Sequence, residues 1–87
     1  LERGYHGSSS TGAGVTALPA FHANFDFPAH VRHYVAAPYA YRNPTGSDDA
    51  AVIAASVASL RAKVAELGAE NVAAFFCEPV VGSGGVI

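Results

Sequence analysis

The stretch that decides the fold runs from Ser47 to Cys77 and reads SDDAAVIAASVASLRAKVAELGAENVAAFFC. Ser47 stands where a hydroxyl would accept from the first free amides of a helix, while Asp48 and Asp49 set negative charge at the positive end of its dipole. Ile53, Val57, Leu60, Val64 and Leu67 then recur at spacings of four, three, four and three. That pattern predicts one apolar face on a helix of about five turns, with Arg61, Lys63 and Glu66 pointing away from it and Gly68 as the stop. After a short polar connection, Val72–Cys77 is apolar without alternation, the pattern of a strand buried on both faces of a parallel sheet. Upstream, Val31, Tyr34 and Val35 predict a short strand over 31–36, stopped at Pro38. Strand, helix, strand is a βαβ crossover, so the expected fold class is α/β, with a mostly parallel sheet and crossover helices.

The segments around this unit are less regular. Ser8, Ser9, Ser10 and Thr11 precede Gly12, Gly14, Val15, Ala17 and Leu18, with Pro19 closing the segment. A flexible linker and a short helix opening on Ser/Thr caps are both allowed, and the helix is the reading preferred. Phe21, His22, Phe25 and Phe27 fall among Asn24, Asp26 and Pro28 without a period, which predicts an irregular loop with apolar anchors. Tyr39 to Gly46 is turn chemistry: Asn43 before Pro44 favours extended geometry, and Gly46 permits a positive φ.

Eighty-seven residues allow one small domain, and a chain of this length buries only a little over about 60% of its unfolded surface. With 51% hydrophobic and 14% charged residues it would leave apolar patches uncovered, so residues 1–87 are expected to be part of a larger domain, incomplete at both ends. The net charge of −2 comes from scattered residues with no basic stripe, which argues against a nucleic-acid partner. No apolar run reaches the roughly 18 residues needed to span a bilayer, so no membrane partner is expected. A single cysteine, Cys77, forms no internal disulfide and is expected to be a small buried hydrophobe in a reducing, cytoplasmic setting.

The chemistry concentrates after the second expected strand, in Phe75–Ile87, FFCEPVVGSGGVI. Ligands collect outside the carboxyl ends of parallel strands, and Glu78 would sit at such an end. A carboxylate there is costly unless a partner charge or donors receive it, so Glu78 is either a cap on a tight structural turn or part of a site. Pro79 withholds an amide, and Gly82, Gly84 and Gly85 let the backbone turn sharply or approach a ligand.

Three pieces, Arg3-Gly-Tyr-His-Gly7, Ala37-Pro-Tyr-Ala-Tyr-Arg42 and Phe76-Cys-Glu-Pro-Val-Val-Gly-Ser-Gly-Gly85, occur in this order over essentially the whole chain. Together they resemble part of a class III aminotransferase dependent on pyridoxal 5'-phosphate (PLP), closest in texture to its ω-amino acid and amine:pyruvate branch. The resemblance implies the large, cofactor-binding domain of fold type I, an amine or ω-amino acid donor, a keto acid acceptor such as pyruvate, and a homodimer. It also implies roles residue by residue. Tyr5 matches the aromatic over the cofactor's pyridine ring, where an offset aromatic pair is worth about 0.5–1.5 kcal/mol beyond buried area. His6 would position the cofactor or shape the pocket, and Glu78 matches a glutamate near the cofactor. For both Tyr5 and His6 a plain core role stays open.

Relatives that take dicarboxylates often carry a glutamate where this chain has Ser83, and a small neutral residue suits a small acceptor such as pyruvate. The resemblance places the phosphate-binding turn before residue 1, and the pyridinium-pairing aspartate and reactive lysine after residue 87. Lys63, the one lysine here, falls on the helix and is not that lysine. The rest of the parent chain is therefore an expected partner. A different class of reading remains, a small non-catalytic α/β module whose apolar surface binds a protein.

Other constellations are weaker. His22, His30 and His33 with Asp26 match no metal-ligand spacing. Ser8–Ser10 beside His6 lack a nucleophile elbow, and Gly12 and Gly14 make no complete dinucleotide fingerprint. Arg42, after Tyr39 and Tyr41, would meet a carboxylate of a substrate or partner subunit, or remain paired in solvent.

Overall fold

A computed structural model describes residues 1–87. The chain divides into two compact units, one made of Leu1–Tyr34 with Phe76–Ile87 and the other of Val35–Phe75.

The second unit is built on α2, Asp49–Leu67, which follows α1, Ser10–Val15, in the chain. The cap of α2 is Asp48 rather than Ser47, because the Asp48 carboxylate accepts from the Ala51 amide at 2.8 Å. The long run of alanines and leucines favours the helix intrinsically. Gly68 ends it at φ 84°, returning its amide to the Val64 carbonyl at 2.9 Å, and Asn71 Nδ2 donates to the Leu67 carbonyl at 2.8 Å.

The face that α2 turns inward matches the apolar spacing at Leu60, Val64 and Leu67 but departs from it at Ile53 and Val57. Ile53 and Val57 are 55% and 44% exposed, whereas Val52 is buried and Ala55, Ser56, Ser59, Leu60, Lys63, Val64 and Leu67 are half-buried. The covered stripe is rotated towards the serines because they have partners. Ser56 Oγ donates to the Ala36 carbonyl at 2.6 Å, and Ser59 Oγ accepts from the Ala36 amide at 3.2 Å. Lys63, expected to face solvent, is half-buried and pairs with Glu66 at 2.7 Å.

No β-strand forms. The strand expected over 31–36 begins instead in a 3₁₀ turn at Ala29–Val31, and both backbone groups of Ala36 are taken by helix side chains, not by a neighbouring strand. The stretch 72–77 carries no ladder of backbone hydrogen bonds either. A strand exists only through a row of non-local partners, and here the one such bond is from the Leu1 amino group to the Phe76 carbonyl at 3.0 Å. Its expected burial on both faces fails as well: Phe75 and Phe76 are 48% and 46% exposed, and Cys77 is exposed rather than buried. The polypeptide thus realises the helix of the βαβ pattern without the parallel sheet.

In the first unit the preferred short helix is present as α1, with Ser9 Oγ accepting from the Gly12 amide at 3.0 Å. The carbonyls at its C-terminal end are bound by side chains from the following loop. His22 Nε2 meets Ala13 O at 2.9 Å, Arg32 Nη1 donates to Gly14 O at 2.9 Å, and Tyr34 Oη donates to Thr16 O at 2.7 Å. These bonds give shape to a loop that has no regular period. Phe27 packs edge-on to His22 with ring centroids 5.5 Å apart, but Phe25 is exposed and anchors nothing in the core.

Candidate functional site

Glu78 is the centre of the first unit's long-range order. The Tyr5 amide donates to its Oε1 at 2.7 Å and the Gly82 amide to its Oε2 at 3.1 Å. One carboxylate therefore closes the 78–82 turn and also ties that turn to a residue 73 positions away. Of the two readings left open for Glu78 from the sequence, the cap on a tight turn is seen directly, and the same carboxylate holds the Tyr5–His6 segment beside that turn. The two amides hold its pKa below the ordinary carboxylate value of 4.5, with His6 adding a smaller favourable charge interaction, so Glu78 is ionised at neutral pH.

Tyr5 and His6 are fixed from the other side as well. The His6 amide donates to Thr16 Oγ1 at 3.0 Å, and that hydroxyl donates in turn to the Gly12 carbonyl at 2.9 Å. Thr16 has no exposed surface, and both its donor and its acceptor capacity are used. The Gly4 carbonyl accepts from the Ala17 amide at 2.8 Å, so the 4–6 segment is bound to Thr16 and Ala17, just past the end of α1, by two bonds and to Glu78 by a third. The Tyr5 ring stands 5.0 Å from Phe21 at a 52° tilt, and the His6 ring 5.7 Å from Phe76. Both residues remain partly exposed.

The glycines of the turn have separate uses. A Cβ on Gly84 would run into the Arg3 carbonyl oxygen and lie 2.8 Å from Arg3 Cβ and Val81 Cγ1. Gly85 has φ 131°, and Gly82 lends its amide to Glu78. The room they make is thus taken by the chain's own 3–5 segment against the turn. Val81 is buried and exchanges two backbone hydrogen bonds with Ile87, at 2.8 and 3.1 Å.

Thr16 and Phe21 were not singled out as site-builders by the sequence, and Gly82 was read only as a place for a turn or a ligand approach, not as a donor to Glu78. The one signal for Gly82 is a carboxylate four residues before a glycine; nothing local marks Thr16. His22, His30, His33 and Asp26 do not assemble, and no cluster of three or more metal-ligating side chains forms. Arg42 lies 5.0 Å over the ring of Tyr41 in the second unit. Ser83 is exposed.

No protein-family model matches the chain. Curated relatives do. A putrescine–pyruvate aminotransferase of Pseudomonas aeruginosa is 42% identical over 86 residues, which cover 97% of this chain and 18% of that protein. A diaminobutyrate–2-oxoglutarate transaminase of Halomonas elongata is 36% identical over 88 residues, 98% of this chain and 19% of that protein. The chain is homologous to class III aminotransferases. Among solved structures, an amine transaminase from an uncultivated Pseudomonas species, determined in its PLP-bound form, superposes on the chain with a TM-score of 0.91 at 38% identity. That superposition covers 100% of this chain and 20% of the transaminase. The homologous segment thus spans about a fifth of the length of the aminotransferases it matches, and it includes Tyr5, His6 and Glu78. No helix is long and apolar enough to cross a membrane.

Proposed function

We propose that this chain forms one wall of the cofactor site in the large domain of a PLP-dependent class III aminotransferase of fold type I. The observation that carries the reading is the meeting of Tyr5 and His6 with an ionised Glu78 across 73 residues, in a chain homologous to aminotransferases over nearly its whole length. The residues suit such a cofactor. Tyr5 offers a partly exposed ring whose inner edge is already held by Phe21, so it would lie against a flat heteroaromatic ring without having to be ordered first. His6 would line the same wall. The cofactor, when bound, supplies the electron sink that amino transfer requires.

We take the reactive lysine to lie outside these residues, since Lys63, the one lysine of the chain, is on α2 and pairs with Glu66. The parent enzyme would move an amino group from an amine or ω-amino acid to a keto acid, and the small Ser83 favours an acceptor of the size of pyruvate. Its parallel sheet would be completed by parent-chain segments beside 31–36 and 72–77, which covers the exposed Phe75 and Phe76. We place it as a homodimer in the cytoplasm, where the exposed thiol of Cys77 is stable.

The test is spectroscopic. The full-length protein, purified with PLP, is expected to be yellow, and borohydride is expected to lock the cofactor onto a lysine outside residues 1–87. A colourless protein without a lysine adduct would sink the aminotransferase reading. It would leave the non-catalytic interaction module, which the exposed Ile53, Val57, Val80 and Val86 favour.

A further inference from the structure

We infer that Glu78 is a positioning residue that acts through the backbone of Tyr5, and that it is not a ligand of the cofactor. The inference rests on the aminotransferase reading for the use of the Tyr5 ring, but the brace itself belongs to this chain alone.

A carboxylate has about four lone-pair sites, and in Glu78 two of them, one on each oxygen, are committed to holding the chain. In Glu78 each oxygen already accepts a backbone amide, Oε1 from Tyr5 at 2.7 Å and Oε2 from Gly82 at 3.1 Å. The two amides belong to segments 73 and four residues away. Hydrogen bonds to an ionised acceptor are the stronger kind, so this chelate is what fixes one segment on the other. The charge is compensated by the chain's own donors and needs no cationic ligand to remain in place.

Around it the packing leaves no slack. Gly84 seats the Arg3 backbone so closely that even a methyl group would collide, and Thr16 holds the His6 amide at 3.0 Å. With the Gly4 carbonyl held by the Ala17 amide, the Tyr5 amide is the middle of three consecutive pinned positions, 4 to 6, and the direction of the Tyr5 ring follows from where its backbone is held.

A residue that works only through Tyr5 cannot matter more than Tyr5 does. Glu78→Gln keeps the shape but turns an amino group towards one of the two amides, so one bond is lost. In the full-length protein the dissociation constant for PLP is expected to rise about two- to tenfold in Glu78→Gln, the range an offset aromatic pair can account for, and no more than in Tyr5→Ala. In a Tyr5→Ala background the Glu78→Gln change is expected to add nothing, although the Tyr5 amide is still there. The cofactor's absorption maximum and its pH titration should be the same in wild type and Glu78→Gln.

The brace is read separately, without cofactor, by amide hydrogen exchange. Peptides containing Tyr5 and Gly82 are expected to exchange faster together in Glu78→Gln, and to be partly restored in Glu78→Asp, which keeps the charge but is one methylene shorter. Glu78→Asp also serves if the Gln variant fails to fold. Additive losses in the double variant, or a shifted cofactor titration, would overturn the positioning role in favour of direct contact. Faster exchange at Gly82 without any change at Tyr5 would overturn the brace. If wild type binds no PLP but both peptides respond to Glu78→Gln, the brace stands and the aminotransferase reading falls.

Discussion

The two units of this chain differ in their balance of local and long-range hydrogen bonds, although Ser56 and Ser59 of the second unit also reach Ala36 across 20 and 23 residues. Residues 35–75 are organised by α2, whose hydrogen bonds are local and whose ends are closed by Asp48 and Gly68, each within four residues of its partner. Residues 1–34 with 76–87 contain the six-residue α1 and two 3₁₀ turns, Pro19–Phe21 and Ala29–Val31, and are organised largely by side chains that reach the backbone across long separations. Glu78 spans 73 residues, Arg32 and Tyr34 span 18, and Thr16 spans 10. The lesson is about fragility. A capped helix loses a little with each substitution, whereas a segment held by single polar contacts and one close backbone approach has a few positions that matter and many that do not.

The largest effect is expected where two backbones touch. Gly84→Ala sets a Cβ against the Arg3 carbonyl and Val81, where backbone cannot yield, and is expected to destabilise the full-length protein by about 3 kcal/mol in chemical denaturation. Two residues away, Gly82→Ala meets only Glu78 Oε2 at 4.0 Å and is expected to stay within about 0.5 kcal/mol of wild type. Equal losses at the two glycines would remove the distinction between a packing seat and a mere turn.

Next in size is Thr16→Val. It strips the His6 amide of its acceptor in a fully buried place and is expected to cost about 2 kcal/mol, with faster exchange of the His6 amide as its signature. In the helical unit the comparison sharpens at the cap. Asp48→Ala is expected to cost about 1 kcal/mol and to fray the first turn of α2, while Ser47→Ala changes neither, as circular dichroism and exchange would reveal. A loss at Ser47 instead would return the cap to the residue that the sequence suggested.

The smallest effect, and the one that depends on pH, is at Glu78. Its folded pKa is depressed, so the stability it contributes is present above the unfolded value of 4.5 and is lost as pH falls through the lower folded value. Protection of the Tyr5 amide is therefore expected to persist through pH 4.5 and to fall only in stronger acid. Loss of that protection at or above 4.5 would contradict the two-amide clamp.

Much of the second unit could be read from residues alone. The extent of α2, its acidic start, the stop at Gly68 and the turn at Asn43–Gly46 all follow from contacts between near neighbours, and the structure has them. Its inward face could not be read so well. Ile53 and Val57 satisfy the period and still lie exposed, since Ser56 and Ser59 turn towards Ala36, which is twenty residues upstream of Ser56 and unrelated to it by any pattern. The strands expected at 31–36 and 72–77 show the same limit, because apolar composition can suggest an extended segment but not provide the neighbour that makes it a strand.

The candidate site divides in a similar way. Tyr5, His6 and Glu78 were legible as residue types in short motifs, and the homology of the segment that contains them to aminotransferases rests on 42% and 36% identity over nearly the whole chain. That Glu78 binds the Tyr5 amide, that Gly84 seats Arg3, and that Thr16 locks His6 were decided only by the tertiary structure. The reason is physical. Helix bonds and caps join residues a few positions apart, so their partners are written beside them, whereas a carboxylate or hydroxyl that meets a distant amide has a partner chosen by the path of the whole chain.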